Sequence, residues 1–200
     1  MKLKELLEMS MIIPPSLSMT DDEKKGQYGI FLHTLQTTDK YSKIYDVAPD
    51  IELYFGSTNK NNIDNNYIAI NNKTKQVIYS MEYDISYNDV LKQYVNQTWV
   101  WSDPQNPTNL PTKLFFTLID KFNTIVCDEQ QTQLGRDFWI KQMNMAFEYN
   151  FNVYFFNFTN KLLVKLINSS DIEKINNIYK VWNATESAKS KVFVISKLDL

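Results

Sequence analysis

The chain has 200 residues, 44% of them apolar and 14% aromatic, with a formal net charge of −2. That is enough apolar material for a sizeable core, and a near-neutral balance gives no general attraction to nucleic acid or to an anionic membrane. No apolar run reaches the length of a membrane span, the first residues lack a signal-peptide core, and the single Cys127 excludes an intrachain disulfide and Cys/His zinc spacing.

These features suit a reducing cytoplasm. The N-x-S/T sequons at Asn72, Asn96, Asn157, Asn168 and Asn183 are expected by chance in so Asn-rich a chain and do not argue for secretion.

Lys2 to Met11 is a short amphipathic helix candidate, stopped by Pro14-Pro15. Thr20, followed by Asp21, Asp22 and Glu23, reads as the N-cap of a second helix, because acidic residues suit the positive end of a helix dipole. That helix runs to about Leu35, weakened by Gly26 and Gly29. Its His33, the one histidine, is expected to be a surface or core residue rather than a base. Residues 1–19 therefore form an arm, and residues 20–200 a single domain.

Lys40 to Asp50 reads as loop with a short helical turn, Ile51 to Phe55 as strand, and Gly56 to Asn66 as an exposed Asn-rich loop. Tyr67 to Asn71 and Gln76 to Tyr83 flank a short polar turn, which predicts a hairpin. Asp89 to Val95 reads as a short helix, and Thr98 to Trp101 as strand or aromatic patch. Residues 102–112 carry three prolines and form a loop, to which Trp99 and Trp101 are expected to serve as anchors.

Leu114 to Lys121 is a helix that feeds a strand at Thr124 to Cys127. A polar loop follows, and Gly135-Arg136 opens a helix whose apolar stripe includes Phe138, Trp139, Met143, Ala146 and Phe147. Val153 to Phe156 resumes as a buried strand. The spacing predicts a βαβ unit in which 124–127 and 153–156 are neighbouring parallel strands. Lys161 to Ile167 pairs back as a strand, Ser169 or Ser170 caps a helix through Ile172, Ile175, Ile178 and Tyr179, and Lys191 to Ser196 is a final strand.

Sheets of this kind bind ligands beyond the carboxyl ends of their strands, which points to Asp128 and the loop after it. Arg136 is the chain's only arginine, and Gly135 its only glycine after Gly56. Two readings stay open there. A backbone approaches an anion with a guanidinium beside it, or an AT-rich coding bias leaves one glycine in a turn and one arginine in solvent. Cys127, in an apolar strand, is expected to be a small buried hydrophobe rather than a nucleophile. Hydrolase triads, Walker A loops and dinucleotide fingerprints have no support in the sequence.

A central hairpin followed by strand, loop, helix and strand resembles the acyl-CoA N-acyltransferase (GNAT) fold. The run Asp128-Glu-Gln-Gln-Thr132-Gln-Leu-Gly135-Arg136-Asp-Phe-Trp139 and the closing VFVISKLDL also look like uncharacterised GNAT-like proteins of bacteriophages. The resemblance covers roughly residues 50–200. It implies an α/β (α+β) fold, with a mixed, mainly antiparallel sheet, a central hairpin and a βαβ unit.

It also implies that Gln131, Thr132, Gln133, Leu134, Gly135 and Arg136 hold the pyrophosphate of acyl-CoA, that Asp128 or Glu129 helps an amine lose its proton, and that Tyr179 stands near the family's tyrosine acid. The family pattern Gln/Arg-x-x-Gly-x-Gly/Ala is met here by Thr132-Gln-Leu-Gly135-Arg-Asp, which differs at the first position and puts acidic Asp137 at the last. The leading expectation is thus a phage-type binding protein of the virion or host cytoplasm. It has no cofactor or metal, and meets a protein partner or another copy of itself through the N-terminal arm. The alternative is an N-acyltransferase using acetyl-CoA or another acyl-CoA.

Overall fold

The computed structural model describes residues 20–37, 41–57, 64–103, 109–127, 133–182 and 190–200. Among them are four helices and nine strands: α1 Asp21–Thr37, β1 Tyr41–Ala48, β2 Ile51–Ser57, β3 Asp64–Asn71, β4 Gln76–Asn88, β5 Lys92–Ser102, α2 Leu110–Phe122, β6 Thr124–Val126, α3 Gln133–Glu148, β7 Asn152–Asn157, β8 Leu162–Leu166, α4 Ser169–Tyr179 and β9 Lys191–Ser196. The strands are hydrogen-bonded in the order β1-β2-β3-β4-β5-β6-β9-β7-β8. The sheet is mostly antiparallel; β5 and β6 are the parallel pair.

The chain forms two compact units, residues 1–83 with 99–111 and residues 84–98 with 112–200. The expected arm, residues 1–19, lies outside the described residues, as do the side chains of Trp99 and Trp101.

In the first unit, Thr20 and Glu23 close the capping box that opens α1. The Thr20 N–H donates to Glu23 Oε2 at 2.7 Å, and the Glu23 N–H to Thr20 Oγ1 at 3.3 Å. One face of α1 then packs Tyr28 and Phe31 onto Tyr54, Ile68, Ile70 and Val77 of the sheet. Phe31 meets Tyr54 and Tyr41 edge-on at 5.0 and 5.1 Å. A Cβ on Gly56 would collide with the Tyr41 ring, so only glycine lets that ring lie on β2.

Three local expectations fail in the N-terminal half of the sequence. Tyr41–Ala48 is a strand rather than a loop, registered on β2 with two irregularities; its mostly exposed residues lack the alternation that would have marked it. Asn65 and Asn66, taken as exposed loop, are buried in β3. Residues 89–95 are a turn and the start of β5, because Asn88 Oδ1 accepts the N–H groups of Val90 and Leu91 and competes with a helix.

In the second unit, the expected neighbours β6 and β7 are not adjacent. β9 lies between them and pairs antiparallel with both, Ile125↔Ile195 on one side and Val153↔Ile195 on the other. The two strands do run in the same direction, as a shared antiparallel neighbour requires. The reason is burial: Val192, Phe193, Val194 and Ile195 are all apolar and solvent-free, and a strand so made takes a central position. Trp139 and Val153 are buried as expected, while Phe138 and Phe147 are half-buried. Phe115 of α2 meets Trp139 and Phe138 of α3 edge-on at 5.1 and 5.9 Å.

Candidate functional site

The predicted site centres on the start of α3. Helix α3 begins at Gln133, so Gly135 and Arg136 already lie inside its first turn. Gly135 does not have positive φ, and the turn needs no glycine on that account. Gln133 Nε2 donates to Asp137 Oδ1 at 2.9 Å, which holds a carboxylate one turn into the helix. The Arg136 guanidinium lies over the Trp182 indole, 5.0 Å from the ring centroid. Arg136 Nε and Trp182 Nε1 are both buried without a hydrogen-bond partner among the described residues.

Tyr179 stacks on Phe155 at 4.4 Å and fastens α4 to β7. Asp128, Glu129, Gln131 and Thr132 lie outside the described residues, as does the Leu134 side chain. Arg136 and Tyr179 thus each meet an aromatic ring, Trp182 and Phe155. A pyrophosphate at this helix start would meet the Asp137 carboxylate, and the guanidinium that should answer it faces an aromatic ring.

Cys127 and His33 lie away from the start of α3 in the chain, at the end of β6 and on α1. Cys127 is buried and continues the β6–β9 ladder; its N–H donates to Phe193 O at 3.0 Å, and its Sγ accepts from the Phe193 N–H at 3.1 Å. His33 is exposed on α1.

A different edge meets the topological rule. The parallel strands β5 and β6, joined through α2, pair at Val95↔Ile125 and Asn96↔Val126 and no further. The carboxyl edge of such a pair is where open α/β sheets hold ligands. The next residue on β5, Gln97, is 3% exposed and its Oε1 has no partner among the described residues. Gln142 of α3 is fully buried; its Nε2 reaches Thr112 Oγ1 in the first turn of α2 at 3.3 Å, and its Oε1 has no partner among the described residues.

Unanswered carbonyl oxygens in a core are costly, and they suit amide N–H, hydroxyl or water donors rather than a phosphate. The sequence offered no clue to these residues: Gln97 stands between Asn96 and Thr98, and Gln142 follows Lys141.

Glu52, a carboxylate of the first unit, is held by three side chains. It accepts from Lys43, from Asn72 Nδ2 at 2.7 Å and from the Tyr54 hydroxyl at 2.9 Å. Lys43, with Asn72, holds its pKa below the ordinary carboxylate value, while burial and Glu52 push Tyr54 up to about 12. A carboxylate so saturated stays ionised and has little capacity left to take up a proton as a general base. Among the described residues, no group of three or more His, Cys, Asp or Glu side chains could hold a metal ion, and no helix is long and apolar enough to cross a membrane.

Set against known proteins, the chain matches no family model and no curated sequence.

Proposed function

We propose that this chain is a binding protein on a GNAT-like scaffold of bacteriophage type, acting as a virion component or a host-directed interaction protein without acyl transfer. One observation carries the reading. The only arginine in the chain, the natural clamp for a phosphate, lies over the Trp182 indole. Tyr179, stacked on Phe155, is likewise engaged in packing. The order of hairpin, strand, helix and strand supports the scaffold, and fold alone does not bring the activity with it.

The test is calorimetry of the full chain with acetyl-CoA, free CoA and inorganic phosphate. The reading expects no saturable heat with any of them. Saturable heat with both acetyl-CoA and CoA, weakened in Arg136→Ala while the melting temperature holds, would overturn it.

The second reading, an N-acyltransferase acting on an amine, has one feature in its favour: the parallel β5/β6 pair ends at a buried glutamine oxygen that awaits a donor. Release of CoA from acetyl-CoA in the presence of an amine panel would establish that reading. Loss of the release in Gln97→Leu, with the fold retained, would place the activity at this edge.

A further inference from the structure

Past β9 the chain folds back onto its own unit. The Lys197 N–H donates to Asn123 O at 2.9 Å, and the Leu198 N–H to Ser196 Oγ at 3.0 Å, so the segment starts from a fixed point. Residues 198–200 then lie along side chains of β7 and β8. Asn152 Nδ2 donates to Leu198 O at 3.0 Å. The Tyr154 hydroxyl lies 3.3 Å from that carbonyl and 3.0 Å from Asp199 Oδ1, and accepts the Leu200 N–H at 3.1 Å. Lys165 Nζ donates to the same Asp199 Oδ1 at 2.8 Å. Asn152 and Tyr154 are two apart on β7, and Lys165 is the register partner of Tyr154 on β8, so the three share one face of the sheet.

An amide, a hydroxyl and an ammonium thus converge on one backbone carbonyl and on the carboxylate of the residue after it. The donors stand on regular strands, and Tyr154 itself is 2% exposed. The occupant is held less firmly. Leu198 is 40% exposed and the Asp199 side chain 81%. Its bonds run to side chains rather than to a backbone ladder, and an ion pair so exposed contributes little. A segment with few buried apolar contacts and exposed hydrogen bonds opens at low free energy, while the strands beneath it stay folded.

We infer that residues 198–200 are a strap that fills a recognition site for an acidic peptide, built from Asn152, Tyr154 and Lys165. The strap specifies the ligand. A carbonyl followed by an Asp carboxylate answers all three donors. A neutral residue in that place leaves Lys165 unanswered, and a basic one is repelled. When the strap opens, an Asp-bearing segment of a partner protein takes its place. The inference stands whether or not the chain binds acyl-CoA.

The test uses the full chain and a fluorescent pentapeptide, Ser-Lys-Leu-Asp-Leu, which copies the strap and the two residues before it. Asp199→Lys sets a cation against Lys165 and should hold the strap open. With the strap shut about nine-tenths of the time in the parent, the peptide should bind Asp199→Lys about tenfold more tightly than the parent. The same peptide with Asn in place of Asp should bind neither. Adding Lys165→Met to Asp199→Lys should abolish the gain. The melting temperature of Asp199→Lys should stay near the parent's, because the lost pair is exposed. In the parent, the Leu200 N–H should exchange with solvent deuterium much faster than the Ile195 N–H of β9. Equal affinity for the parent and Asp199→Lys would overturn the inference, because the strap would then not compete for the site. So would an absence of binding to Asp199→Lys, or a Leu200 N–H as protected as that of Ile195, because the segment would then be a fixed part of the fold.

Discussion

The two units bury polar groups in different ways. The first holds a charge pair in its interior: Lys24 of α1 lies 2.9 Å from Asp103 at the end of β5, each side chain 8% exposed. It also buries Asn65, Asn66, Ser80 and the Tyr79 hydroxyl, and threads Tyr28, Asn72, Glu52 and Lys43 into one hydrogen-bonded chain. The second unit packs residues such as Ile125, Trp139, Met143, Val153, Phe155 and Phe193, and buries the uncharged polar residues Gln97, Thr124, Gln142, Asn157 and Ser196 among them. Its buried polar contacts are short, like Thr124 Oγ1 to Ser196 Oγ at 2.9 Å across β6 and β9. Among the described residues, the first unit thus buries a charge pair, while the buried polar residues of the second are uncharged. The first is the more vulnerable to loss of one partner, the second to loss of volume.

The largest expected effect tests the space-filling side. Trp139→Ala removes a fully buried indole from the junction of α2 and α3 and should cost about 3–5 kcal/mol in denaturant unfolding. A loss under about 1 kcal/mol would mean that the site collapses freely and that the second unit is not tightly packed.

Next comes the pair. Asp103→Ala leaves Lys24 buried, with Asp21 still 3.5 Å away at the rim. The cost should be about 3 kcal/mol, the lower end for a broken buried ion pair. The double variant Lys24→Met/Asp103→Leu should return to within about 1 kcal/mol of the parent, because no charge is then stranded. A double variant as unstable as the single one would erase the contrast between the units, since shape rather than charge would then govern both.

Arg136→Ala should lower stability by about 1 kcal/mol through loss of the guanidinium–indole contact, read by thermal or chemical unfolding. Arg136→Lys should recover little of it, because an ammonium lacks the planar face that stacks. An unchanged melting temperature would instead free Arg136 for a ligand.

Acid should sharpen the comparison least, since both units hold carboxylates below their ordinary pKa. Glu52 is lowered first by Lys43, and Asp171 first by the Ile167 N–H. A lowered folded-state value means that the unfolded chain takes up protons first. This stability is present above the ordinary carboxylate value and is lost as pH falls through the folded one. Glu52→Gln should flatten the decline in stability between about pH 5 and pH 3 relative to the parent. A slope equal to the parent's would show that Glu52 is not a source of the acid sensitivity.

What the sequence alone determined lies where local chemistry and burial agree. Thr20 with Glu23 marked the start of α1, the turn at Asn72–Lys75 marked the hairpin, and the apolar run Lys191–Ser196 matched β9 residue for residue. The capped helix after Asn168 was legible too, although its cap is Asn168 itself rather than Ser169 or Ser170.

Only the tertiary structure decided the rest. Periodicity reports how a residue meets the chain near it, and says nothing of which distant strand lies beside it. The insertion of β9 between β6 and β7, and the parallel pairing of β5 with β6, are choices among equally apolar strands made by the whole sheet. The same limit holds for the site. Arg136 stood out because it is alone in the sequence, yet its role follows from Trp182, forty-six positions later. Gln97 and Gln142 stood out in no way, and became notable only when folding removed the water that would have answered their oxygens.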